Sequence, residues 1–128
     1  MATKPKIMVV DDEKENLDLL YRTFRREFKV FRAQGAAQAL ELLDKEGEMA
    51  VILSDQSMPE MSGVEFFRQT ADRFPKTVRI LITGYASDQL GEGEDELKAA
   101  QIHKFVSKPW QADDLKATVQ EAVQIHDA

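Results

Sequence analysis

Strand-length apolar runs alternate with helix-length amphipathic segments along the whole chain, and no other feature limits the possible folds as strongly. "KIMVV" (6–10) is β-branched, apolar and closed by Asp11, the pattern of a buried strand. Leu17, Leu20 and Phe24 then recur at helical spacing, with Glu13, Asp18, Arg22 and Arg25 on the other face. "FKVFRA" (28–33) alternates as a strand nearer an edge does. "GAAQALELLDKEG" (35–47) predicts a short helix with Ala36, Leu40 and Leu43 facing inward and Gly47 as its stop. "MAVILS" (49–54) is the third strand, after which Ser62 can cap a helix bearing Val64, Phe67, Ala71 and Phe74 that Pro75 ends. "TVRILIT" (77–83) and "HKFVS" (103–107) supply two more strands, and Leu115, Val119 and Val123 mark a last helix after Pro109. Such alternation predicts a doubly wound α/β fold, a parallel sheet covered by helices on both faces.

One segment resists the pattern. In "GYASDQLGEGEDELKAAQI" (84–102) a helix is due, yet Gly91 and Gly93 sit where each costs about 1 kcal/mol relative to Ala. Four acids in residues 92–96 add repulsion. The expected helix is short, displaced towards residues 94–101, or mobile.

With 128 residues, the chain suits a single domain over 1–128 with one sizeable core. A net charge of −6 argues against direct binding of nucleic acid or an anionic membrane. Without cysteine there is no disulfide, zinc–thiolate site or thiol nucleophile. His103 and His126 have no metal-ligand spacing and read as structural or solvent-exposed. "MATKPK" is polar and leads into no signal-peptide core, and no apolar run nears the roughly 20 residues that span a bilayer. The expected location is the cytoplasm. Past the last helix, at Ala128, no DNA-binding or catalytic segment follows, as for a stand-alone domain or a fragment of a longer regulator.

In open α/β sheets, ligands bind at the carboxyl ends of the strands. Here those ends carry Asp11 and Asp12, then Asp55, Thr83 and Lys108. "ILSDQSMPEMSG" (52–63) drives an apolar strand straight into a carboxylate, which is costly unless something stabilises or uses it. Two carboxylates 4 Å apart repel by about 4 kcal/mol at an effective dielectric of about 20. Three of them with one lysine therefore call for a cation. Mg²⁺ fits, being a hard ion that takes carboxylates, waters and phosphate oxygens together. An ionised aspartate beside it is a competent nucleophile towards phosphorus. Lys108 and the metal would neutralise the transferring group, and Thr83 can donate a hydrogen bond to a phosphate oxygen.

"VVDDEKEN", "ILSDQSMPEMSG", "ILITGYA" and "KFVSKPW" resemble, in order and spacing, the receiver domain of two-component response regulators, over residues 6 to 125. The resemblance implies a flavodoxin-like, five-stranded parallel sheet of order 2-1-3-4-5 with five helices. It implies that Asp55 is phosphorylated by a sensor histidine kinase or phosphotransfer protein. Asp12 would hold Mg²⁺ directly and Asp11 directly or through water, with an Asp55 side-chain oxygen and the Ser57 backbone carbonyl completing the protein ligands. Lys108 would contact the phosphoryl group, Thr83 would move towards it, and Phe105 would be the switching aromatic. A cis Lys108–Pro109 bond and a Met58–Pro59–Gly63 turn belong to the same pattern. So do an output domain or partner protein and a homodimer formed on phosphorylation. The only chemistry implied is the domain's own phosphorylation and dephosphorylation, so it is not an enzyme in the ordinary sense.

Plainer readings stand beside these. Asp12 can simply cap the helix that begins near Glu13. Phe105 can be a buried strand aromatic, and Tyr85 and Trp110 can be packing or a partner face. A haloacid-dehalogenase-like phosphatase also uses Asp, Mg²⁺, Thr or Ser and Lys, but needs a second Asp two residues after the nucleophile, where this chain has Ser57. A flavodoxin-like nucleotide or flavin carrier wants a glycine- or hydroxyl-rich loop after the first strand, where "DDEKEN" is acidic. A receiver-like module that signals without phosphate is the remaining alternative.

Overall fold

The computed structural model describes residues 4–84 and 94–127. Five strands alternate with five helices: β1 Lys6–Val10, α1 Lys14–Phe24, β2 Lys29–Ala33, α2 Ala36–Glu46, β3 Val51–Asp55, α3 Gly63–Ala71, β4 Val78–Thr83, α4 Glu94–Ala100, β5 Lys104–Ser107 and α5 Ala112–Asp127. All four strand pairings are parallel, in the order β2-β1-β3-β4-β5. The expected architecture and strand order are those observed.

The three central strands explain the continuous apolar runs. Being buried on both faces, β1, β3 and β4 cannot alternate apolar with polar residues. Ile7, Val9, Leu53 and Ile80 face α1 and α5, where Leu17, Leu20, Phe24, Leu115, Val119 and Val123 close one half of the core. Met8, Val10, Ile52 and Leu81 face the other way, against Ala39 and Leu43 of α2, Val64, Phe66 and Phe67 of α3, and Ala100 of α4. Three expectations need adjustment. Ala39 takes the fully buried place given to Leu40, which is half-buried. Phe66 joins Phe67 in the core, because α3 is covered on more than one stripe. Phe105 is 38% exposed, not a buried strand aromatic. Edge strand β5 turns Val106 towards the core under α5, and the alternation of side chains turns Phe105 to the opposite face.

The helix due after β4 is found over Glu94–Ala100. The expectations for Tyr85, Gly91 and Gly93, including mobility, lie outside the described residues. No described helix is long and apolar enough to cross a membrane.

Candidate functional site

Four strand ends meet at one edge of the sheet. Asp11 follows β1 directly and is buried, its N–H donating to Ala33 O at 3.1 Å. Its two carboxylate oxygens accept from the Glu13 N–H (2.9 Å) and from Asn16 Nδ2 (3.3 Å). Asp11, and not Asp12, therefore serves the start of α1. The N-cap residue Glu13 makes no side-chain cap, and Asp12 is exposed, so the capping reading of Asp12 is replaced. Burial, aided by the charge of Asp55, raises the Asp11 pKa to about 6 against the pull of the Glu13 N–H, Lys108 and Asn16.

Asp55 is the last residue of β3 and is 4% exposed. Asp11, Asp12 and Asp55 each offer a carboxylate oxygen, and these oxygens all lie within 4.8 Å of one another. Lys108 Nζ reaches Asp55 Oδ1 at 2.5 Å. Partial burial opposes the lysine's charge, but Asp55 and Asp11 outweigh it and its pKa is raised. One ammonium does not balance three carboxylates. Asp55 Oδ1 is buried, and among the described residues the Lys108 ammonium is its charge partner but gives it no hydrogen bond of good geometry. An all-oxygen donor set with an excess of negative charge and an orphaned buried oxygen fits a hard divalent cation.

Thr83 ends β4, buried at 2% exposure, and its carbonyl accepts the Lys108 N–H at 2.9 Å. The Lys108–Pro109 peptide bond is cis. Ser57 is exposed at the start of the loop after Asp55, while Met58 and Met61 pack half-buried against the core. Ser62 caps α3 as expected, its Oγ accepting the Glu65 N–H at 3.1 Å. Gly63 answers to space: a Cβ there would stand 2.6 Å from Asp55 O and 2.6 Å from Leu81 Cδ1. Phe105 lies on β5 and is exposed.

Three residues escaped the sequence reading. Asn16 stands a turn into α1, and its spacing from Asp11 was a usable signal. Gln56, 7% exposed, donates its N–H to Ile82 O (3.0 Å) and accepts the N–H groups of Gly63 (3.0 Å) and Val64 (3.0 Å), which ties the residue after Asp55 to both β4 and α3. Nothing in the sequence marks it. Arg79 is buried within β4. Both histidines have structural partners elsewhere: His103 Nδ1 accepts the Arg79 N–H, and His126 meets Glu48 and Asp127. Trp110 packs half-buried on the core and, with Asp11, Asn16, Leu19, Lys108 and Pro109, borders a cleft of about 390 Å³.

Residues 7–120 match the family model described as the response regulator receiver domain. The chain is 41% identical to the hydrogenase transcriptional regulatory protein HoxA of Bradyrhizobium diazoefficiens, over 98% of its own length and 25% of that protein's. It is also 32% identical to the regulatory protein AtoC of Escherichia coli, over 98% of this chain and 26% of the relative. The chain thus spans about a quarter of the length of these relatives. Among solved structures, the signal receiver domain of an HD domain-containing protein from Pseudomonas fluorescens superposes with a TM-score of 0.87 at 26% identity, covering 98% of each chain. A CheY-like receiver domain protein from Methanospirillum hungatei gives the same TM-score at 24% identity and shares the fold. With this sheet order, acidic pocket and family match, the chain belongs to the receiver domains of two-component response regulators.

Proposed function

We propose that this chain is a single receiver domain over 1–128 that works as a phosphorylation-dependent switch, with Asp55 as phosphoacceptor. The observation that carries the reading is the trio Asp11, Asp12 and Asp55 within 4.8 Å, with Lys108 in ion-pair contact with Asp55. A carboxylate oxygen of Asp55 attacks the phosphorus of a phosphohistidine on a sensor kinase or phosphotransfer protein. The P–N bond breaks, its electron pair stays on the imidazole, and that ring takes a proton from solvent. Asp11, Asp12, Asp55 and the Ser57 carbonyl would hold Mg²⁺. Bound there, the ion supplies charge neutralisation on the transferring group. Lys108 exchanges its contact with Asp55 for a phosphoryl oxygen, and the Thr83 hydroxyl donates to another.

Burial of Thr83 at the neighbouring strand end supports a hydroxyl poised to follow the new acceptors. Phe105 would turn inward as Thr83 moves, which changes the surface of α4, β5 and α5 that a partner reads. Phosphorylation need only bias two states already in exchange. Relatives named as transcriptional regulatory proteins support an output domain or partner protein as the reader of the switch. The receiver would work in the cytoplasm, with a phosphorylation-dependent homodimer as one form of output.

Incubation with acetyl phosphate, with and without Mg²⁺, followed by intact mass, tests the reading. One added phosphoryl group that needs Mg²⁺ and disappears in Asp55→Asn is expected. No adduct, and no binding of beryllofluoride, would favour a receiver that signals without phosphate. Repeated turnover of a phosphate ester would favour a phosphatase.

A further inference from the structure

Arg79 is 1% exposed, the largest of the fully buried side chains, yet among the described residues no carboxylate pairs with it. A lone buried cation is expensive unless its surroundings answer it. Its partners are carbonyl-type oxygens from two helix ends. Nη1 donates to Phe74 O at 2.9 Å, Nε to Gln101 O at 2.9 Å, and Nη2 to Gln101 Oε1 at 3.4 Å. Phe74 closes the last turn after α3, its own N–H bonded back to Thr70 O, and Gln101 is the first residue past α4, bonded back to Lys98 O. A helix C-terminus carries about half a negative charge, so two such ends together roughly balance one guanidinium.

Gln101 adds an independent sign. Its φ is +51°, in the left-handed region where a residue ending a helix is usually Gly or Asn. Glutamine stands there with both of its oxygens on Arg79. The following segment is pinned as well, since the His103 N–H donates to Arg79 O at 2.9 Å and His103 Nδ1 accepts the Arg79 N–H at 3.1 Å. Strand alternation puts Arg79, Leu81 and Thr83 on one face of β4, the face that packs on α3 and α4.

We propose that Arg79 is the positioning residue for α4: it fixes the C-terminal ends of α3 and α4 to the start of β4, so that α4 responds to events at Thr83 by turning about Gln101. The fixing of α4 stands on the contacts above; the coupling to Thr83 rests on the receiver reading.

The chain has no cysteine, so Gln69→Cys on α3 and Ala99→Cys on α4, both exposed positions, can carry a pair of spin labels in the full chain. Expected is one narrow label distance without ligand and a shifted, still narrow one with Mg²⁺ and beryllofluoride. Arg79→Met should broaden the ligand-free distance and abolish the uniform shift, while Asp55 still takes its phosphoryl group from acetyl phosphate. Arg79→Lys keeps the charge without the fork and should broaden it less. Gln101→Gly, which keeps the carbonyl and suits the positive φ, should stay narrow. Where Arg79→Met fails to fold, Arg79→Lys and Gln101→Ala decide. Gln101→Ala, strained at the positive φ and without the Oε1 contact, should broaden it. A narrow, shifting distance in Arg79→Met, or in both Arg79→Lys and Gln101→Ala, would overturn the proposal. Absence of the adduct in the parent would defeat the receiver reading instead, and the ligand-free width would still judge Arg79.

Discussion

The two ends of β4 handle buried charge in opposite ways. At its start, Arg79 is enclosed and, among the described residues, its guanidinium nitrogens donate to oxygens of matching polarity. At its finish, beside Thr83, three carboxylates share one lysine and, among the described residues, Asp55 Oδ1 accepts no hydrogen bond of good geometry. Burial gives both ends a cost, but only the first repays it within the chain. A satisfied buried charge fixes structure, whereas an unsatisfied one waits for something from outside.

The contrast can be broken in order of effect. Asp55→Asn should lose the phosphoryl adduct entirely, read by intact mass after acetyl phosphate, while folding normally. Arg79→Met should cost about 3 kcal/mol in urea unfolding, because the Phe74 and Gln101 carbonyls lose their donors in a dry place. Gly63→Ala should cost about 1–3 kcal/mol in the same measurement, since its Cβ would press on the Asp55 carbonyl and on Leu81. Asp11→Asn should do the reverse and raise the melting temperature in the presence of EDTA by removing one of the crowded charges. A gain that persists unchanged in saturating Mg²⁺ would remove Asp11 from the ligand set.

The smallest effect is a pH dependence at the Arg79 end. Burial, with Arg79 nearby, lowers the His103 pKa below its usual 6.5, so the unfolded chain takes up this proton more readily than the folded one. The contribution of neutral His103 is therefore full above pH 6.5 and is lost as pH falls towards the depressed value. His103→Gln should flatten that part of the stability profile, as followed by thermal melts between neutral and mildly acid pH.

Most of the fold was legible because doubly buried strands leave little choice of residue: Ile7 to Val10 and Val51 to Leu53 are apolar on both faces. The carboxylate trio and Lys108 could be placed because parallel topology carries every strand's carboxyl end to the same edge. Arg79 was hidden by the same logic, since a charge inside "TVRILIT" contradicts the apolar pattern and its partners come from helix ends more than 20 residues away in one case and five in the other. Asp11 displaced Asp12 as the group serving α1 because two adjacent acids look alike in sequence, and only the chain's exit angle from β1 decides which one turns inward. The exposure of Phe105 depended on the parity of an edge strand, which a four-residue run does not define.

The loop from Gln56 to Gly63 is stapled at its two ends: the Gly63 N–H closes on Gln56 O, and the Gly63 α-carbon sits where a methyl group would strike the Asp55 carbonyl. It is therefore a cassette of fixed length. Its exposed Pro59 and Glu60 can be rewritten, while Met58, Met61 and Ser62 hold it to the core and to α3, and one residue added or removed would unseat α3 and carry Asp55 with it.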